Sequence, residues 1–194
     1  HDHYGWMCMA LERYDDAIRL LTRARELDPL SHASDSAATL LRAGRFNEAL
    51  AMSEKIIEFD PTLTRGHATA GWALLLTGRH PEGVAALERA AALASGGTLF
   101  RAQLGQAYAM TGRVEDARDV LRQLTTLAET RYVSPYHLAY VHTGLGEVET
   151  AIDRLEEAYD QRAPAIYAIK GSFLFASLRQ HPRFVALLRK MNLA

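Results

Sequence analysis

The sequence predicts an all-α fold, a right-handed solenoid of about five stacked helical hairpins closed by a helical tail. Three observations predict it. Small residues recur at Ala17, Ala49, Gly83, Ala117 and Ala151, with gaps of 32, 34, 34 and 34, and a period near 34 residues belongs to stacked helix–turn–helix units. Around each small residue, apolar side chains follow at spacings of three and four, which places them on one helical face. Hydrophobic residues make up 48 % of the 194, enough to feed a continuous core.

The hairpins fall at about 1–29, 30–61, 62–96, 97–130 and 131–163, with the first one truncated, and residues 164–194 form the tail. Hairpin one reads Gly5, Tyr14, Ala17, Leu21, Ala24 and closes with Asp28–Pro29. Its turn carries Glu12 where the others carry glycine. Hairpin two reads Ala37, Gly44, Phe46, Ala49, Ile56 and closes with Asp60–Pro61. Proline disfavours a helical residue before it, so both Asp-Pro steps stop a helix. Hairpin three reads Gly71, Leu74, Gly78, Gly83, Leu87, Ala90, with Pro81 at the start of its second helix, where a missing N–H costs nothing.

Hairpin four is the cleanest. Leu104, Gly105 and Tyr108 fall on one helix, Gly112 and Val114 form the turn, and Ala117, Leu121 and Leu124 fall on the next. Gly105 and Ala117 are expected to be small because the helices cross there at close range. Gly96–Gly97 is a short bend before it. Hairpin five reads Leu138, Ala139, Gly146, Ala151, Leu155, Ala158, opened by Ser134 as N-cap and Pro135 in the first turn. The tail, with Phe173–Leu174–Phe175 and then Pro182–Arg183–Phe184, predicts a short helix, a turn and a last helix from 182 to about 191. A solenoid end needs a cap with one apolar and one polar face, and this tail fits that role.

These small–turn–small units resemble the tetratricopeptide repeat. Taken together, several features are similar to the carboxyl-terminal repeat region of a group of bacterial multidomain regulators. They are Asp28–Pro29–Leu30–Ser31, Tyr132–Val133–Ser134–Pro135–Tyr136, Leu145–Gly146–Glu147, Glu156–Glu157–Ala158–Tyr159 and the closing Leu178–Arg179 through Leu187–Leu188. That resemblance implies an amino-terminal winged-helix, kinase or cyclase domain, often with a TolB-like segment between, and a cytoplasmic protein. The opening His3–Tyr4–Gly5–Trp6 looks like the middle of such an array. Two departures stand out: His181 replaces the acidic residue usual before the final Pro-Arg-Phe, and Ser172 precedes Phe173 where relatives carry Asp-Pro.

The resemblance implies a concave groove lined by the first helix of each hairpin. The positions that carry over are Trp6, Met9, Ser34, Ala38, Arg42, Arg65, Trp72, Leu75, Gln103, Gln106, Tyr136, Tyr140 and Thr143. Of these, Trp6, Arg42, Arg65, Trp72, Gln103, Gln106, Tyr136 and Tyr140 are the candidate binding residues, because aromatic and arginine side chains are the usual anchors of an interface. The alternative for Trp6 and Trp72 is that they fill gaps between helices. Ala38, Trp72 and Gln106 stand where some members clamp a peptide carboxylate with basic and amide side chains, so that pattern is absent. Apolar and amide contacts are expected instead, with Arg42 or Arg65 taking one acidic group.

No catalytic motif is legible, and the sequence points to a non-catalytic protein- or peptide-binding scaffold without cofactor or metal. His137 and His142 lie five apart and so do not share a face as an i, i+4 pair would. Asp15–Asp16 and Glu156–Glu157 read as solvated helix surface. Charge is balanced at 22 basic against 23 acidic residues, net −1, which favours neither nucleic acid nor an anionic membrane. Cys8 is the single cysteine and excludes an internal disulfide. The alternatives to a peptide scaffold are a small-ligand receptor governing an effector domain and, more weakly, self-association through Tyr4, Met7 and Leu11 of the truncated first hairpin.

Overall fold

The computed structural model describes residue 8, residues 11–27 and residues 33–193, and among these every regular element is helical. Residues 1–95 and 96–194 form two compact units. The first contains α1 (Tyr14–Leu27), α2 (Ala33–Arg42), α3 (Phe46–Phe59), α4 (Thr64–Leu76) and α5 (His80–Leu93). The second contains α6 (Thr98–Met110), α7 (Val114–Ala128), α8 (Pro135–Gly144), α9 (Val148–Asp160) and α10 (Pro182–Lys190). Between α9 and α10 lie two short 3-10 segments, Ile166–Ala168 and Phe173–Leu178.

Within the first unit, α2 packs on α1, on its hairpin partner α3 and on α4, and α4 packs on α3 and α5. Within the second, α6 packs on α7 and α8, and α8 packs on α7, α9 and the Phe173–Leu178 segment. Within each unit a first helix therefore lies beside the first helix of the following hairpin, α2 beside α4 and α6 beside α8, as repeat stacking requires.

Four turns are one structure repeated. Gly44, Gly78, Gly112 and Gly146 have φ of 76°, 84°, 82° and 73°. The residue after each returns its N–H to the carbonyl five positions back: Arg45 to Leu40 at 2.9 Å, Arg79 to Leu74 at 2.9 Å, Arg113 to Tyr108 at 2.8 Å and Glu147 to His142 at 3.0 Å. This closure needs a left-handed residue, where glycine alone escapes the Cβ penalty. In the first turn Glu12 occupies that position at φ 60°, and the Arg13 N–H still reaches the Cys8 carbonyl at 2.8 Å.

The second helices bury one stripe. Ala17, Ala49, Gly83, Ala117 and Ala151 are all buried, and so, seven residues on, are Ala24, Ile56, Ala90, Leu124 and Ala158. The expected stripe of α7 is corrected at one place. Val120 is buried and Leu121 only half-buried, because Gly105 leaves a hollow that Val120 fills. A Cβ on Gly105 would meet Val120 Cγ1 at 2.8 Å and Val141 Cγ2 at 3.0 Å. The close contact of Gly105 is thus with Val120 and with α8. α4 and α5 cross glycine on glycine. A Cβ on Gly71 would sit 2.9 Å from the Gly83 carbonyl oxygen, and one on Gly83 would sit 2.8 Å from the Gly71 oxygen.

Helix ends follow the sequence with one exception. α3 stops at Phe59; Asp60 is extended at φ −137°, and its carboxylate accepts the Thr62 N–H at 2.9 Å and hydroxyl at 2.6 Å. The Asp28–Pro29 step lies outside the described residues. Ser134 does take the N-cap position of α8, but its hydroxyl makes no capping bond, which corrects the expected cap. Pro135 presets the first turn, and the Ser134 carbonyl accepts the His137 N–H at 2.9 Å.

The second helices α1, α3, α5 and α7 each open on an arginine paired to an acid three residues on. The pairs are Arg13–Asp16 at 2.8 Å, Arg45–Glu48 at 2.6 Å, Arg79–Glu82 at 2.8 Å and Arg113–Asp116 at 2.7 Å. The arginine partner holds the carboxyls of Asp16, Glu48 and Glu82 below their ordinary values. Asp16, expected to be merely solvated, is a member of this series. In the fifth turn Glu147 replaces the arginine and accepts from His142 Nδ1 at 2.7 Å while facing Arg118 at 3.4 Å.

Candidate functional site

The first helices are buried over more of their circumference than the second helices, so the expected groove positions have unequal fates. In the first unit, Trp72 is 2 % exposed and lies in the interior. Leu75 is buried too. Arg65 is exposed and pairs with Asp35 Oδ1 at 2.9 Å. Arg42, Ser34 and Ala38 are half-buried. Trp6, Met9, Tyr4 and Met7 lie outside the described residues, and Leu11 is exposed.

In the second unit the tail covers the row. Gln106 is 2 %, Tyr136 2 % and Tyr140 5 % exposed. Phe175, from the second 3-10 segment, is fully buried. Its ring stacks on Tyr140 at 5.0 Å and 8°, and meets Tyr136 edge-on at 5.3 Å and 74°. The two tyrosines meet each other at 5.1 Å and 74°. The Gln106 side-chain N–H donates to the Leu174 carbonyl at 2.6 Å, across 68 residues of sequence. A groove with these three residues open to an outside ligand is therefore not what the structure presents: the chain itself supplies the occupant. Gln103 and Thr143 are half-buried, and the Thr143 hydroxyl donates to the Ala139 carbonyl at 2.7 Å.

The backbone places Gln106 where it can do this. A Cβ on Gly144, the last residue of α8, would lie 2.9 Å from both the Cα and the carbonyl oxygen of Gln106. α6 and α8 touch at that point, and the Gln106 amide reaches the tail from there. Sequence reasoning passed over Gly144, and it read Phe173–Leu174–Phe175 as a cap without placing it on these residues. The available signal was an apolar triplet directly after Lys170–Gly171–Ser172, where the period has ended.

The rest of the tail is held separately. The Arg183 guanidinium meets Glu149 at 2.8 Å, Asp153 at 2.6 Å and Glu156 at 2.8 Å; these three carboxylates, Glu156 first, raise its pKa. His181, the departure noted in the sequence, contacts Glu149 at 3.0 Å. Lys190 reaches Asp160 at 3.3 Å and lies over the Tyr159 ring at 4.5 Å. Phe184 is buried beside this polar clasp.

His137 and His142 go to structural partners. His137 Nδ1 contacts the Thr98 hydroxyl at 2.8 Å, and burial pushes the imidazole down to about 4. His142 pairs with Glu147 as described. Among the described residues, no group of three or more histidine, cysteine or acidic side chains is placed to hold a metal ion. No helix among them is long and apolar enough to cross a membrane.

Comparison with known proteins supports the fold. The tetratricopeptide repeat model matches residues 64–89 and 98–123, which are α4 with most of α5 and α6 with most of α7. The chain is similar in structure to a thermophilic tetratricopeptide protein of Thermus thermophilus, at TM-score 0.66 and 21 % identity over 90 % of this chain and 96 % of that one. It is similar to a kinesin light chain with nearly identical repeats from Podospora anserina, at TM-score 0.58 and 17 % identity over 84 % and 93 %. It is also similar to MamA from Desulfovibrio magneticus, at TM-score 0.57 and 18 % identity over 66 % and 74 %. No curated protein matches the sequence. The fold is all-helical, built from tetratricopeptide-type repeats. Such an array is consistent with protein–protein interaction.

Proposed function

We propose that the chain is a non-catalytic scaffold whose first-helix faces bind a protein or peptide partner. In context it is the carboxyl-terminal sensing or assembly region of a bacterial signalling or transcription regulator. The observation that carries the binding reading is the side-by-side packing of first helices within each unit, α2 with α4 and α6 with α8. That packing sets residues from successive hairpins on one continuous face, at no folding cost beyond that of the repeat itself. The regulator context rests on the resemblance of the closing segment, whose Pro182, Arg183 and Phe184 start, clasp and bury α10.

The test uses immobilised full chain to capture partners from source-cell lysate, followed by peptide arrays of each captured protein. Arg65→Gln removes an exposed charge from the face and leaves an amide that can still donate to Asp35. A partner lost on this substitution, at unchanged thermal stability, supports the reading. Saturable capture that ignores Arg65, or no saturable partner, refutes it.

A small-ligand reading has one observation of its own. A cavity of about 690 Å³ in the first unit is lined by Leu40, Met52, Ile56 and Phe59 with Lys55 and Asp60, within the size range of small-molecule sites. A thermal-shift screen of metabolites discriminates: saturable stabilisation abolished by Met52→Trp favours the receptor, and a flat response removes it.

A further inference from the structure

We propose that the face formed by Gln106, Tyr136 and Tyr140 is a peptide site held in cis by Phe173–Leu178, and that a partner segment bearing an aliphatic residue followed by an aromatic one displaces it. This inference rests on the peptide-binding reading and gives that reading a site and a ligand class.

The chemistry is that of peptide recognition. Gln106 bonds a main-chain carbonyl, that of Leu174 at 2.6 Å, so the contact does not depend on which side chain follows. Specificity falls to the ring pocket, where two tyrosines from α8 receive one ring from the segment, stacked at 5.0 Å on Tyr140. The cis occupant leaves one demand unmet. Gln106 Oε1 is buried with no hydrogen-bond partner, and an amide so placed has acceptor capacity that a differently seated peptide N–H would fill.

The occupant is also built to leave. Its 3-10 geometry is a poorer use of backbone bonds than an α-helix. The segment breaks at Phe175 (φ −111°, ψ 19°), and its bonds from Phe175 N to Ser172 O and Arg179 N to Ala176 O are long, at 3.3 and 3.4 Å. Meanwhile α10 is fastened to α9 by Arg183 and Lys190 independently of the segment. Release of Phe173–Leu178 breaks one bond to the α10 N-cap, His181 N–H to the Leu178 carbonyl at 2.9 Å, and leaves these side-chain ties to α9 in place. Held at both ends, the segment competes at the high effective concentration of an intramolecular ligand.

The test titrates a fluorescein-labelled peptide of residues 171–179, GSFLFASLR, into the full chain by anisotropy. Phe175→Ala in the protein weakens the cis occupant, and the peptide then binds about tenfold tighter than to wild type. Adding Gln106→Ala to that variant reverses the gain, and a peptide with alanine for its second phenylalanine binds neither. A folded Phe175→Ala chain without saturable binding overturns the proposal, as does a concentration-dependent dimer in which the segment crosses to a second copy. If Phe175→Ala fails to fold, hydrogen exchange of wild type decides. Amides of 173–178 opening about 100-fold more readily than those of α8 support displacement, and equal protection of the two refutes it. Peptide binding without any cellular partner would leave this site standing and remove the wider function; capture through Arg65 without peptide binding would do the reverse.

Discussion

Gly83→Ala adds one methyl at the Gly71–Gly83 crossing of α4 and α5. A Cβ there would lie 2.8 Å from the Gly71 carbonyl oxygen, 2.9 Å from the Leu75 nitrogen and 2.7 Å from Leu75 Cγ. Two of these three atoms are backbone, so no rotamer change makes room. α4 and α5 must part by about half an ångström or more, which loosens contacts along both helices. Overpacking of this kind costs about 1–3 kcal/mol, while exchanging glycine for alanine inside a helix returns about 1 kcal/mol. Because two of the clashes are with backbone atoms, the cost falls in the upper part of that range, and the expected net loss is about 1–2 kcal/mol. Urea unfolding followed by circular dichroism, with hydrogen exchange of α4 and α5 amides, measures it. Ala117 and Ala151 occupy the same register and already carry the methyl, so the penalty arises from the Gly71–Gly83 pair and not from the register. Stability equal to or above wild type would show that the crossing is not tight and refute the reasoning.

Glu12→Gly removes a non-glycine residue from φ 60° and is expected to stabilise the first hairpin by about 1 kcal/mol, seen as slower exchange of α1 amides. His137 has its imidazole pushed by burial from 6.5 to about 4, so the folded chain binds fewer protons than the unfolded one between these values. Its stabilising preference is complete above pH 6.5 and is lost as pH falls through 4. Wild type should therefore lose about 2 kcal/mol more than His137→Gln between pH 7 and 4.5, by urea titration at each pH. Arg183→Ala leaves Glu149, Asp153 and Glu156 facing one another, and its melting-temperature deficit should shrink as salt rises from 50 mM to about 1 M, because exposed charges are screened.

The period was legible because its causes are local and repeated. A left-handed turn position asks for glycine at 44, 78, 112 and 146, and a close crossing asks for a small residue every 34 positions. Hairpin by hairpin the sequence meets those demands. Local rules also had limits. The exchange of Leu121 for Val120 in the core depends on the hollow over Gly105, which belongs to another helix. The unused Ser134 hydroxyl reflects Pro135 having already fixed the turn. The series Arg13–Asp16, Arg45–Glu48, Arg79–Glu82 and Arg113–Asp116 was present at 32- and 34-residue spacing, and it went unread because charges on helix surfaces were assigned to solvent as a class.

The candidate site was less legible for a related reason. Ala38, Trp72, Gln106 and Tyr140 share one register at 34-residue intervals, yet that register fixes only where a side chain starts. Gln106 and Tyr140 are covered by residues 174 and 175, which lie after the period has ended and reach them through a contact 68 positions long in the case of Gln106. A periodic pattern cannot anticipate an aperiodic partner. The same circumstance lets the displacement proposal confine opening to the tail segment. The repeats obtain their closure from turns and crossings within 34 residues, whereas the tail segment brings its ring and its carbonyl from beyond the period. A substitution at the fully buried Phe175 therefore removes core packing from the second unit together with the occupant of the face, while one at Gly83 acts on the α4–α5 crossing of the first unit.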